Sequence, residues 1–123
     1  MDSFTRGNED ISRSVTLTSD GSTAYDTDDF TAISVEVRHK KFGTVIGSYT
    51  LAASTVTQES PTTDGIITFI VSRTETASQP VGVYEYEVET IESDTDFESS
   101  VRHRSFVDDC FYLKPGILDG TIT

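Results

Sequence analysis

Apolar and polar residues alternate with period two along most of this chain. In 31–40, "TAISVEVRHK", Ile33, Val35 and Val37 fall on one face and Ser34, Glu36 and Arg38 on the other. In 83–92, "VYEYEVETIE", Tyr84, Tyr86 and Val88 alternate with Glu85, Glu87 and Glu89, so the aromatic side is expected inside and the glutamates in water. A strand is expected over 11–18, where Val15 and Leu17 alternate with polar neighbours. Others are expected over 44–51, where Gly47 inside the run signals a bulge or a close backbone approach, and over 54–59. "IITFIVS" (66–72) is apolar on both faces, and Ile70 is expected in the core with Ile33, Val35, Val37, Tyr84, Tyr86 and Val88. "RTETASQ" (73–79) allows one helical turn at most. "FESSVRHRSFV" (97–107) reads as a return strand, and "CFYLKPG" (110–116) as a separate short strand stopped by Pro-Gly.

No window carries the 3, 4, 7 spacing of a helix longer than two turns, and turn signals such as Asp20-Gly21 and Asp64-Gly65 recur about every ten residues. The fold class expected is all-β, an antiparallel sandwich of about seven or eight strands. The chain divides into an arm over 1–10, a sandwich over 11–114 and a tail over 115–123. The 123 residues make one domain, long enough to bury roughly 65–70% of the unfolded surface without a staple. Before the 83–92 strand, Pro80 cannot donate to a ladder, and Gly82 permits a tight corner.

Charge narrows the partners. Nine basic against 21 acidic residues give −12, which disfavours nucleic acid and anionic membranes, so neither is expected as a partner. The single cysteine, Cys110, excludes an intrachain disulfide. Carboxylates beside it are expected to raise its pKa and leave it inert. "MDSFTRGNED" lacks the basic-then-apolar order of a signal peptide.

Several clusters invite a chemical reading. "EYEVETIESDTDFE" (85–98) holds seven carboxylates, and Asp94, Asp96 and Glu98 are a candidate cation cluster, but a solvated charged hairpin is the reading adopted. For Asp26, Asp28 and Asp29, a loop that caps its own backbone is preferred to a calcium site. No G-x-S-x-G elbow, C-x-x-C or H-x-x-x-H pattern occurs, and His39 and His103 fall in polar positions read as exposed. The expectation is therefore no enzyme activity, no catalytic residue, no metal and no cofactor.

"RHKK" (38–41) and "RHR" (102–104) stand against the acidity. Two readings of them carry equal weight: steering toward neighbouring subunits, or charge balance within the molecule with Arg102 or Arg104 on the glutamates of the adjacent strand. Both ends also look unsuited to a free monomer. Phe4 sits in an otherwise polar arm, and Ile117, Leu118 and Ile122 follow the Pro115-Gly116 stop. Contacts are thus expected through the chain ends and sheet edges, with Phe4, Arg6, Arg38, Lys40, Arg102, Arg104, Ile117, Leu118 and Ile122 as interface candidates.

Five short pieces carry a resemblance: Phe4-Thr5-Arg6-Gly7-Asn8; Thr16-Leu17-Thr18 with Asp20-Gly21; Val35-Glu36-Val37; Asp64-Gly65-Ile66; and Thr76-Ala77 through Pro80, Gly82, Tyr84, Tyr86 and Val88. Together, over residues 4 to 110, they resemble the immunoglobulin-like domains of tailed-phage structural proteins, such as the N-terminal domain of upper baseplate proteins. Gln79 departs from the aliphatic residue usual before the proline. Baseplate members usually continue into a second region, so a free-standing copy looks more like a head decoration (auxiliary capsid) protein or head-fibre base, with a tail or baseplate adaptor next. The resemblance implies a multi-copy virion component, assembled in the cytoplasm of a bacterial host, whose partners are major capsid or tail subunits and its own copies. The alternative is a carbohydrate- or cell-surface-binding module. It needs an exposed aromatic platform, for which Tyr25, Tyr49 and Phe42 are the candidates.

Overall fold

The alternating segments form two sheets. The structure is a computed structural model and describes residues 1–19, 21–94 and 100–116. Eight strands are present among them: β1 (Ser3–Thr5), β2 (Ile11–Thr16), β3 (Phe30–His39), β4 (Val45–Thr50), β5 (Val56–Gln58), β6 (Ile66–Val71), β7 (Gly82–Asp94) and β8 (Ser100–Lys114). One helical turn, α1 (Arg73–Thr76), lies between β6 and β7. A five-stranded sheet runs β1-β8-β7-β3-β4, and a three-stranded sheet runs β2-β6-β5. All pairings are antiparallel except β1 on β8.

The facing sides of the two sheets supply one core. From the larger sheet come Ile33, Val35, Val37, Tyr49, Tyr84, Val88, Phe111 and Leu113, and from the smaller Ile11, Val15, Val56, Ile67, Phe69 and Val71. Register explains the selection. Val35 stands opposite Val88 and Tyr49, and Val37 opposite Tyr86, so the period-two apolar sets of β3, β4 and β7 share a face. The Phe69 ring stacks on Tyr49 at 5.5 Å and meets Tyr86 edge-on at 6.4 Å, joining the two sheets. Each large side chain fully buried this way contributes roughly 1.5–3 kcal/mol.

Four expectations are corrected. Ile70 is 54% exposed, because β6 turns Ile67, Phe69 and Val71 inward and parity then sends Ile70 out. The segments 97–107 and 110–116 are not two strands: β8 runs unbroken to Lys114, and the register shift opposite Tyr84 and Glu85 absorbs an extra residue at Cys110. The arm over 1–10 contains β1, which pairs with Tyr112–Lys114 and sets the Phe4 ring edge-on to Phe111 at 6.1 Å. Tyr86, expected buried, is only half-buried at the core margin.

Two glycines are required by their surroundings. Gly82 has φ +131°, and a Cβ there would sit 2.8 Å from His39 Nε2. Gly47 lies beside the β3–β4 register shift, and a Cβ on it would drive into the Tyr49 hydroxyl. That hydroxyl donates to Glu75 Oε1 at 3.0 Å. Glu75 in turn closes a capping box on α1, accepting from Ser72 N at 2.9 Å while Ser72 Oγ accepts from Glu75 N at 3.1 Å. So α1, short as it is, is tied to β4 through one carboxylate.

Candidate interaction surfaces

The acidic strand faces outward, as its alternation requires, but it is not simply solvated. Across β3 and β7, Glu36 stands opposite Glu87, and Arg38 opposite Glu85. The Arg38 guanidinium reaches Glu85 at 3.3 Å, Glu87 at 3.4 Å and Glu36 at 3.6 Å. It covers Glu85, whose side chain is left 16% exposed, and Glu87 is half-buried, so only Glu89 of the three is exposed as expected. Burial works against the Arg38 charge, but the coulombic pull of Glu85 and the bonds to Glu87 and Glu85 together raise its pKa. Ser34, Glu36, Ser48, Glu87 and Glu89 line a shallow hollow of about 260 Å³ on this face, and two of them, Glu36 and Glu87, also face Arg38.

A second surface lies at the end of the same sheet where the chain turns from β3 to β4. His39 completes the inward parity of Ile33, Val35 and Val37, and it is 3% exposed, not exposed as expected. Its Nδ1 accepts from the backbone N–H groups of Lys41 and Phe42, both at 3.1 Å, and its Nε2 lies 3.0 Å from the Val81 carbonyl. An amide can only donate and a carbonyl only accept, so Nε2 carries the proton. The ring is thus a brace that fixes the 40–43 turn from inside. Phe42 stacks on it at 4.4 Å, and Tyr84 meets it edge-on at 5.0 Å. The Tyr84 hydroxyl donates to the Pro80 carbonyl at 2.6 Å, which is how a buried tyrosine satisfies its polar end.

The outer side of this turn is apolar. Phe42 is 61% exposed, and Val81 and Tyr112 are exposed beside it. With Val83 they border an open depression of about 420 Å³ rimmed by Lys40 and Lys41. The Lys40 ammonium donates to Asp109 at 2.8 Å, and that bond raises its pKa, while the Lys41 ammonium lies 5.6 Å above the Phe42 ring. Apolar side chains gathered around a rigid turn, with cations at the edge, have the make-up of a contact surface.

The remaining candidates divide. Arg6 donates to the Gln79 carbonyl at 2.7 Å, so with Phe4 it ties the N-terminal strand to its own domain. Arg13 reaches from β2 to Asp2 at 2.9 Å and lies 5.8 Å from the Phe4 ring, clamping the smaller sheet to β1. The two basic clusters are kept apart. Arg38 is level with Glu85, whereas Arg102 is level with Glu92 and Arg104 with Thr90, so Arg38 and Arg102 differ by roughly 23 Å along β7 at strand rise. Ile117, Leu118, Ile122, Asp96 and Glu98 lie outside the described residues, as do the side chains of Asp94, Arg102, His103 and Arg104.

The Asp26 loop bears out its capping reading: Asp26 Oδ1 accepts from Asp28 N at 3.0 Å. Cys110 is buried, and burial pushes its thiol up to about 12, against the opposing influence of Arg13. Desolvation is therefore the cause, where neighbouring carboxylates were expected. Of the candidate aromatic platforms, Tyr49 is buried and Tyr25 half-buried between Phe30 and Phe106, leaving Phe42.

Sequence reasoning nominated Lys40 and named Phe42 as a candidate exposed aromatic, but it did not join Phe42, Val81 and Tyr112 into one apolar surface. The three are far apart in sequence, and only the pairing of β7 with β3 and β8 brings them together. No helix among the described residues is long and apolar enough to cross a membrane. No family model, no curated protein and no solved structure matches this chain.

Proposed function

We propose that this chain is an immunoglobulin-like β-sandwich module of a tailed-phage virion, present in many copies and working by binding other virion subunits. The observation that carries the binding role is the apolar turn: Phe42, Val81 and Tyr112 exposed together and rimmed by lysines on a chain of net charge −12. A braced aromatic tip has little conformational freedom left to lose on association, which favours its use as an anchor. The virion assignment draws on the resemblance of residues 4 to 110, and the two-sheet architecture is compatible with it. Capsid decoration or a head-fibre base is preferred to a tail or baseplate adaptor.

The test is co-sedimentation of the purified chain with particles assembled from the capsid or tail subunits encoded beside it. Wild-type chain is expected to pellet with the particles, and Phe42→Ala to pellet much less while staying folded, with only the small loss of melting temperature that follows from losing the stack on His39. Absence of wild-type binding to both particle types overturns the virion reading. A second reading, a carbohydrate-binding module, draws on the exposed Phe42 ring and the neighbouring Tyr112 as stacking surfaces. Binding to an oligosaccharide panel that is lost in Phe42→Ala decides in its favour.

A further inference from the structure

The apolar turn and the acidic hollow are different parts of one sheet, and they are complementary. One offers a protruding aromatic with cations beside it, Phe42 with Lys41. The other offers a shallow concavity with Glu36, Glu87 and Glu89 on its lining. Val107, exposed and directly opposite Glu87 in register, supplies an apolar spot on the same outer face. Within one molecule the two cannot meet, because the turn is fixed by His39 at the end of the sheet while the hollow lies on its flat.

We infer that the occupant of the hollow is the 40–43 turn of a second copy. Lys41 would stand over Glu87 and Glu89, and Phe42 against Val107. This rests on the multi-copy reading above and deepens it by naming one partner as the chain itself. The contact joins two different surfaces, so it is heterologous and builds rings or open rows, not a closed two-fold dimer. Its charge pairs are short-ranged. At low ionic strength the −12 net charge opposes the approach of two copies, and moderate salt screens that repulsion over roughly 8–10 Å while leaving close pairs in place.

Sedimentation velocity of the full chain over a wide concentration range tests this without any virion partner. Concentration-dependent association is expected in about 0.15 M salt, weakening near 1 M, where the screening length falls to roughly 3 Å. Lys41→Glu and Glu89→Lys are each expected to weaken it roughly tenfold or more, and an equimolar mixture of the two variants to recover it. Phe42→Ser is expected to abolish it. Lys41 and Glu89 are exposed, so those two variants should melt like wild type, while Phe42→Ser also loses the stack on His39 and is expected to melt slightly lower. A wild-type chain that stays monomeric throughout overturns the inference, as does association that survives Lys41→Glu or fails to recover in the mixture. Neither result touches co-sedimentation with capsid or tail particles, so the two proposals fail separately.

Discussion

The two sheets bury their inner faces by the same rule and finish their outer faces by different ones. On the three-stranded sheet the outward positions are Ser12, Ser14 and Thr16 on β2 and Ile66, Thr68 and Ile70 on β6. Hydroxyls there bond locally, as Thr68 Oγ1 does to Glu59 at 2.8 Å. On the five-stranded sheet the outward positions of β3 and β7 are Ser34, Glu36, Arg38, Glu85, Glu87 and Glu89. The inner faces are constrained by packing and are similar for that reason, with Phe69 serving one sheet as Tyr84 serves the other. The outer faces are free of that constraint. Charge and exposed aromatics are concentrated on the larger sheet, which is the side that the proposed binding would use.

The comparison can be broken most directly at the two buried rings. Tyr84→Ala and Phe69→Ala should each cost about 3–5 kcal/mol in chemical denaturation, since each empties an aromatic site in the shared core. Equal losses support one core. A Phe69→Ala loss below about 1 kcal/mol would mean that the smaller sheet is only loosely attached. Gly47→Ala should come next, at about 1–3 kcal/mol, because the new methyl collides with the Tyr49 hydroxyl that links β4 to α1. Replacing Tyr49 with Phe in the same chain should recover part of that loss.

Alkaline pH probes the same core. Burial raises the Tyr84 phenol from 10.0 to about 12 and the Cys110 thiol from 9.0 to about 12. A raised folded-state pKa means that the native state holds its proton more tightly than the unfolded chain. The stability so gained is complete below the unfolded value and is lost as pH climbs through the folded one. Stability should therefore begin to fall near pH 9 and continue to fall toward 12. Below that window Cys110 should react slowly with thiol reagents unless the protein is first unfolded.

The smallest effects are expected outside. Ile70→Thr on the smaller sheet should change stability by no more than about 0.5 kcal/mol and leave particle binding intact. Arg38→Ala should cost more, though still about 1 kcal/mol or less, because it leaves Glu36, Glu85 and Glu87 together without their shared cation. Loss of particle binding in Ile70→Thr as complete as in Phe42→Ala would end the distinction between the two outer faces.

The sequence by itself determined the period-two strands, their inward sets in β3 and most of β7, the turns at glycine and the single helical turn. These depend on local alternation and on backbone freedom, which the chain carries wherever it goes. It also marked Gly47 as a bulge or a close backbone approach; the register shift beside it is the bulge, and the group that comes close is the Tyr49 side chain. Only the tertiary structure decided which side of "IITFIVS" is inside, because a segment apolar on both faces has no parity to read until a partner sheet chooses one. Only pairing showed that 100–114 is one strand with a bulge and that Ser3–Thr5 is an edge strand, since both follow from contacts across more than 90 residues for β1 on β8 and from a register shift opposite β7. His39 shows the division most clearly. Its parity pointed inward while its polarity pointed outward, and burial won because two backbone amides and a carbonyl were in place to satisfy the ring.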